Sequence, residues 1–206
     1  MPRFIAPIAV IVSVIFLGGL WWLTQPKNND GPFAQCQTTS IASDGNGLGG
    51  SFELINAKGK TVTDEDIITE PSLIYFGYTF CPDVCPLDIS RNVDAVDILA
   101  ERGITTTPIF ISIDPERDTP KIIGDFTYNL HEKMIGLTGS EEQVAAVSKA
   151  YKTYFKAHDK GDEFYLVDHS TFTYLVFPEY GFMEFFRRDV SAEVLADRVA
   201  CFVKNI

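Results

Sequence analysis

With 206 residues, 46% of them hydrophobic and 13% aromatic, the chain has material for one packed domain plus accessories and is not disordered. A formal charge of −11 excludes a nucleic-acid-binding surface, because nothing supplies a dense set of cations to neutralise phosphates. The four cysteines, Cys36, Cys81, Cys85 and Cys201, take their meaning from the compartment.

The N-terminus sets that compartment. Phe4 to Leu23 carries no charge, and as a helix rising about 1.5 Å per residue it matches the roughly 30 Å of bilayer hydrocarbon. Arg3 precedes it, and Trp21 and Trp22 stand at its far end as interfacial aromatics do. The run is longer than a signal-peptide core, and no small-x-small cleavage site follows it. Phe33-Ala34-Gln35-Cys36 departs from a lipoprotein site through its large Gln35. The expectation is a single transmembrane helix within residues 1–23, with the remainder outside the cytoplasm. No Arg- and Ser-rich transit peptide precedes it, which favours a bacterial inner membrane and a periplasmic domain over a mitochondrial inner membrane.

Residues 24–50, rich in Gly, Asn, Ser and Thr, read as a flexible linker. The run Gly45-Asn-Gly-Leu-Gly-Gly50 lacks the strand–helix setting and the Lys-Ser/Thr of a phosphate loop. The folded domain is expected over 51–206. It opens with a β-hairpin, Phe52 to Asn56 and Thr61 to Thr63 around Gly59, then a short helical connection from Asp64 to Ile68. Ser72 to Tyr78 is apolar, aromatic and of strand length, the pattern of a central buried strand. A helix follows from about Pro86, whose fixed φ suits a first helical position, to Arg102, stopped by Gly103. Pro108 to Ile113 has the composition of a parallel strand covered on both faces, and it ends in the polar loop Asp114-Pro-Glu-Arg-Asp-Thr-Pro120. Lys121 to Leu130 reads as a helix, Met134 to Leu137 as a short strand, and Ser140 to Phe155 as a helix capped by Ser140. Phe164 to Asp168, Thr171 to Phe177 and Phe182 to Phe186 are strands, the first interrupted near Asp168-His169-Ser170. Ser191 to Val203 is a final amphipathic helix. Parallel crossovers with a terminal antiparallel pair predict an α/β, thioredoxin-like sandwich.

Cys81 and Cys85 fall where the central strand turns into a helix, and residues four apart share a helix face. The partial positive charge of a helix N-terminus favours thiolates, so two adjacent, acidified, reachable thiols are expected, suited to redox chemistry or soft-metal binding. Of the three histidines, His131 and His158 read as solvated surface residues. His169 differs, since Asp168 beside it can fix an imidazole tautomer by accepting its N–H. Two thiolates and an imidazole select Cu(I) and also hold Cu(II). A structural zinc site wants four protein ligands, and Asp83 is a poor fourth. Copper is therefore preferred.

Phe76-Gly-Tyr-Thr-Phe-Cys81-Pro-Asp-Val-Cys85-Pro86, the Asp114 to Pro120 loop and Val167-Asp-His169, in that order behind an anchor, resemble the SCO/SenC family over roughly Gly49 to the C-terminus. These are membrane-anchored, thioredoxin-fold copper chaperones of cytochrome c oxidase assembly. The resemblance implies copper ligands Cys81, Cys85 and His169. It also implies a partner in the oxidase subunit that carries the binuclear copper centre, together with an upstream copper donor. Family members are discussed both as copper donors and as thiol reductants, so Cys81 and Cys85 form the redox pair of an alternative reading, a thiol–disulfide oxidoreductase. Against it stand the CxxxC spacing and the lack of a proline in His169-Ser170-Thr171, where thioredoxin-like reductases keep one for docking. A peroxiredoxin would need Pro and Thr where Ile74 and Tyr78 stand. In an oxidising compartment Cys36 and Cys201 are expected to pair, the other reading being two free thiols.

Overall fold

The computed structural model describes residues 5–24, 32–38, 47–158, 161 and 164–206. The chain divides into two compact units, Met1–Gly31 and Pro32–Ile206. The first contains helix α1, Ile5–Leu23, which holds no charged residue. The side chains described in it run from 13 to 22, and among the described residues no helix is long and apolar enough to cross a membrane.

The second unit is built on a seven-stranded sheet of order β2-β1-β5-β4-β3-β8-β9. Its hairpin is β1 (Glu53–Asn56) and β2 (Thr61–Thr63), followed by the short helix α2 (Asp64–Ile67), closed by a Thr63–Asp66 capping box. The parallel core comprises β3 (Ser72–Gly77), β4 (Thr107–Ser112) and β5 (Ile135–Thr138). Every residue of β3 and β4 is buried, as their unbroken apolar runs require for strands covered on both faces. β8 (Thr173–Phe177) runs antiparallel to β3, and β9 (Gly181–Phe186) pairs with β8.

Helices α3 (Val84–Glu101), α4 (Pro120–Leu130), α5 (Glu141–Ala150) and α6 (Ala192–Lys204) cover the sheet. Alternation along β3 sorts them by face. Tyr75 points to α3, where its hydroxyl donates to Asp88, and its ring meets Phe110, which in turn meets Phe126 of α4. Leu73, of the same parity, packs with Leu195 and Val199 of α6. Phe76, of the opposite parity, packs on Tyr151 at the end of α5. This is the thioredoxin-like α/β sandwich expected, with the cysteine turn at the carboxyl end of its central strand.

Two helix boundaries differ from expectation. α3 starts at Val84, which places Pro86 at the third helical position. The first four N–H groups of a helix have no intrahelical partner, so proline there forfeits nothing. α5 ends at Ala150 rather than Phe155. Lys152 takes a left-handed φ of 50°, while Thr153 N–H reaches the Ser148 carbonyl and Lys152 N–H the Lys149 carbonyl. That is a Schellman termination with lysine where glycine usually marks the stop. The chain so released forms β6 (Phe155–Ala157), which pairs with β7 (Val167–His169) in a separate two-stranded sheet. His169 is the last residue of β7, in register with Phe155.

Residues 32–38 lie within the folded unit, where a linker over 24–50 was expected. Cys36 is buried and disulfide-bonded to Cys201 of α6, Phe33 packs on Tyr180 and Phe202, and Thr38 N–H donates to the buried Glu184 carboxylate at 2.9 Å. The pairing of Cys36 with Cys201 is as expected. Of the other linker positions, 25–31 and 39–46 lie outside the described residues.

Candidate metal centre

Cys81, Cys85 and His169 converge, each offering a ligand atom, all within 4.8 Å of one another. β3 delivers Cys81 through a turn closed by Cys81 N–H to the Tyr78 carbonyl. Cys85 sits in the first turn of α3, and its N–H donates to Cys81 Sγ at 3.3 Å. The hairpin β6–β7 delivers His169, whose Nε2 lies 3.3 Å from Cys85 Sγ. Among the described residues the group has three members, and Asp83 is not one of them. Two soft sulfurs and one borderline nitrogen fit copper, whereas a closed zinc site would want a fourth donor.

The two thiols are not equivalent, which corrects the expectation of two acidified, reachable cysteines. Cys81 is 8% exposed and Cys85 1%. The Cys85 thiol and the backbone N–H groups of Asp83 and Cys85 favour a thiolate on Cys81, whose pKa is lowered to about 3. Cys85 moves the opposite way: its proton is held by the hydrogen bond to Cys81, and burial penalises a second charge. The helix N-terminus therefore stabilises one thiolate and not two.

Asp168 does not orient His169. Adjacent residues of a strand point to opposite faces, and Asp168 Oδ1 instead meets Nε2 of the exposed His158 at 2.9 Å. The tautomer of His169 is set by the Ser170 carbonyl, 2.8 Å from Nδ1. With that N–H donated, the Nε2 lone pair faces the sulfurs, as a metal-binding imidazole requires. The Tyr75 and Tyr78 rings stand edge-on to the imidazole at 6.3 and 5.9 Å, and burial raises both phenol pKa values. His158 is solvated apart from its pair with Asp168. His131 is not: its side chain is 13% exposed, Nδ1 accepts the Lys133 N–H, and Nε2 faces Asp97 at 3.2 Å.

Several supporting residues escaped the sequence reading. A Cβ on Gly77 would lie 3.0 Å from Cys85 Sγ and equally close to Phe110 and Tyr75, so only glycine lets the thiol sit against the strand. A glycine inside an otherwise apolar, aromatic strand was the available signal. The Tyr75 hydroxyl donates to the buried Asp88 at 3.1 Å, one helical turn beyond Cys85, and Arg188 approaches that carboxylate at 3.7 Å. Asp118, fully buried, accepts from Thr79 N–H at 3.0 Å and from the Thr79 and Ser112 hydroxyls. Burial raises its pKa, against the pull of those hydrogen bonds. The sequence placed the 114–120 loop at the end of a strand as a polar loop, but did not show which residues its aspartates meet.

A family model described as SCO1/SenC matches residues 41–204. Protein SenC of Rhodobacter capsulatus is 48% identical over 199 residues, covering 97% of this chain and 89% of that protein. The structure of Arabidopsis thaliana ScoI with copper bound superimposes with a TM-score of 0.72 at 38% identity, covering 76% of this chain and 99% of that one. BsSco, a member of the Sco family of cytochrome c oxidase assembly proteins in which a disulfide switch was identified, gives a TM-score of 0.62 at 25% identity, over 77% and 95% of the two chains. The chain belongs to the SCO1/SenC family.

Proposed function

We propose that this protein is a membrane-anchored copper carrier that delivers copper to the binuclear centre of cytochrome c oxidase during its assembly, with Cys81, Cys85 and His169 as ligands. The observation that carries the reading is the convergence of two sulfurs and a tautomer-fixed imidazole on one point. A copper-bound relative of the same fold supports it. Three donors leave room for a fourth from an acceptor, as a site that hands its cargo on requires. The partners are the copper-bearing oxidase subunit and an upstream copper donor. The uncharged helix α1 supports an anchor in a bacterial inner membrane with the domain in the periplasm.

The test is copper titration of the full-length protein. One equivalent is expected to bind, and Cys81→Ser, Cys85→Ser and His169→Ala are each expected to weaken that binding. Unchanged Cu(I) and Cu(II) affinity in His169→Ala, with rapid thiol exchange toward an oxidase peptide, would refute the carrier reading.

The second reading is a thiol reductant of the oxidase subunit's copper-ligand cysteines, favoured by the adjacent free thiols and the acidified Cys81. In it the Cys81 thiolate attacks a partner disulfide and releases one partner thiolate. Cys85, losing its proton, then attacks the mixed disulfide and releases the second. The partner gains two electrons and this chain is left with a Cys81–Cys85 disulfide.

A further inference from the structure

The hairpin that carries His169 shares no ladder with the main sheet. A two-stranded hairpin is marginal by itself, so the position of the imidazole depends on side-chain ties. The loop between β4 and α4 supplies them to both halves of the centre. Through Asp118 it binds Thr79, two residues before Cys81, at the backbone N–H (3.0 Å) and the hydroxyl (2.5 Å). Through Asp114 it binds Tyr165, four residues before His169, whose hydroxyl donates to Oδ1 at 2.6 Å. Asp114 Oδ2 meets Arg117 Nε at 2.5 Å, and the Arg117 guanidinium lies 3.6 Å over the Tyr165 ring and 5.1 Å from that of Phe80, next to Cys81. A stacked guanidinium with a paired carboxylate fixes both distance and angle between the segments it joins.

We propose that this loop is a splint holding the His169 segment in register with the cysteine turn, and that Arg117 and Tyr165 are positioning residues of the metal centre. The inference rests on the ligand assignment above and goes beyond it in saying what keeps the third ligand in place. Both sulfurs sit on one turn-and-helix unit and keep their spacing without the clamp; the imidazole does not. Loosening the clamp therefore removes the nitrogen donor selectively. Two-thiol capture of Cu(I) survives, and Cu(II), which needs the imidazole, is lost.

The test uses full-length Tyr165→Phe and Arg117→Gln beside the wild type and His169→Ala. In the metal-free proteins, NMR of the His169 ring reports its position without copper. Both variants are expected to shift or broaden those signals. Loss of a supporting partner typically lowers metal affinity about 10–100-fold, so Cu(II) affinity should fall on that scale toward His169→Ala, with the nitrogen couplings in its electron paramagnetic resonance spectrum weakened, while Cu(I) affinity changes less than about threefold. Wild-type ring signals and an unchanged Cu(II) spectrum in both variants would overturn the inference. So would a parallel fall of Cu(I) and Cu(II) affinity with a lowered melting temperature, which would assign the clamp to fold stability alone. If the wild type bound no copper while the ring signals still moved, the splint would stand and the carrier reading would fall.

Discussion

Gly77→Ala changes a single atom at the wall of the proposed copper site. The new Cβ would stand 3.0 Å from Cys85 Sγ, from Phe110 Cε2 and from Tyr75 Cε1, where ordinary contact begins at 3.4 Å. Each neighbour must retreat by about 0.4 Å, and the two rings have little room: Tyr75 is held by Asp88 and Phe110 packs at a tilt against Phe126. Overpacking of this kind costs about 1–3 kcal/mol. Cys85 Sγ, on a helix terminus, is the neighbour best able to move, and it moves relative to His169 Nε2. If about 1 kcal/mol of the strain persists in the loaded site, copper affinity falls about fivefold, at 1.4 kcal/mol per factor of ten. Urea unfolding measures the first quantity and Cu(I) competition titration of the full-length protein the second. Gly103→Ala is the control. Its added Cβ meets nothing within 4 Å but occupies a φ of +74°, so it should cost about 1–2 kcal/mol of stability and leave copper affinity unchanged. A Gly77→Ala protein within about 0.5 kcal/mol of wild type, with unaltered copper affinity, would refute the close-approach argument.

The Cys36–Cys201 disulfide spans a sequence separation of 165 residues, for which chain-entropy arithmetic gives about 5 kcal/mol. The Cys36→Ala/Cys201→Ala protein is expected to lose about 2–5 kcal/mol in urea unfolding, and a loss below about 1 kcal/mol would contradict the clasp. The Cys81 thiolate gives a pH signature. Its folded pKa of about 3 lies below the roughly 8.5 of an unfolded cysteine, so its stabilisation is complete above the unfolded value and is lost as pH falls toward the folded one. Cys85, shifted upward, stays protonated in both states through that window and adds no slope there. Ultraviolet thiolate absorbance of the metal-free protein should therefore show one thiolate persisting well into acid, and a single titration near 8.5 would contradict the assignment.

The strands of the main sheet, the central turn and the three converging residues were legible because each rests on a local pattern. Ser72 to Gly77 is an unbroken buried run, Cys81 and Cys85 are four residues apart, and His169 sits at the break between two strand-forming stretches. What escaped depends on contacts far apart in the chain. The end of α5 was hidden because Lys152 takes the left-handed position that glycine would have announced. With it went β6, and hence the fact that His169 rides on a separate hairpin. Asp168 was a reasonable partner for His169 by adjacency, but strand alternation turns the two apart and gives Asp168 to His158. Asp88 and Asp118 look like surface carboxylates in the sequence. Only the fold brings Tyr75 and Thr79 to them and so permits their burial.

The asymmetry of the two cysteines bears on both readings of the site. A reductant needs one nucleophilic thiolate and one resolving thiol, and a carrier needs two sulfurs that become thiolates when the metal arrives. The pair as folded is poised for either, because Cys81 is charged, more exposed than Cys85, and first to meet a partner or an ion. His169 separates the two. Its Nε2 lone pair, directed at Cys85 by the Ser170 carbonyl, is a donor that a metal uses directly and that thiol exchange between two cysteines does not require. Asp114, Arg117 and Tyr165, which join the His169 segment to the loop beside the cysteine turn, support the proposed three-donor reading. Under the proposed carrier reading, thiol exchange is the way such a site returns to its reduced, receptive form.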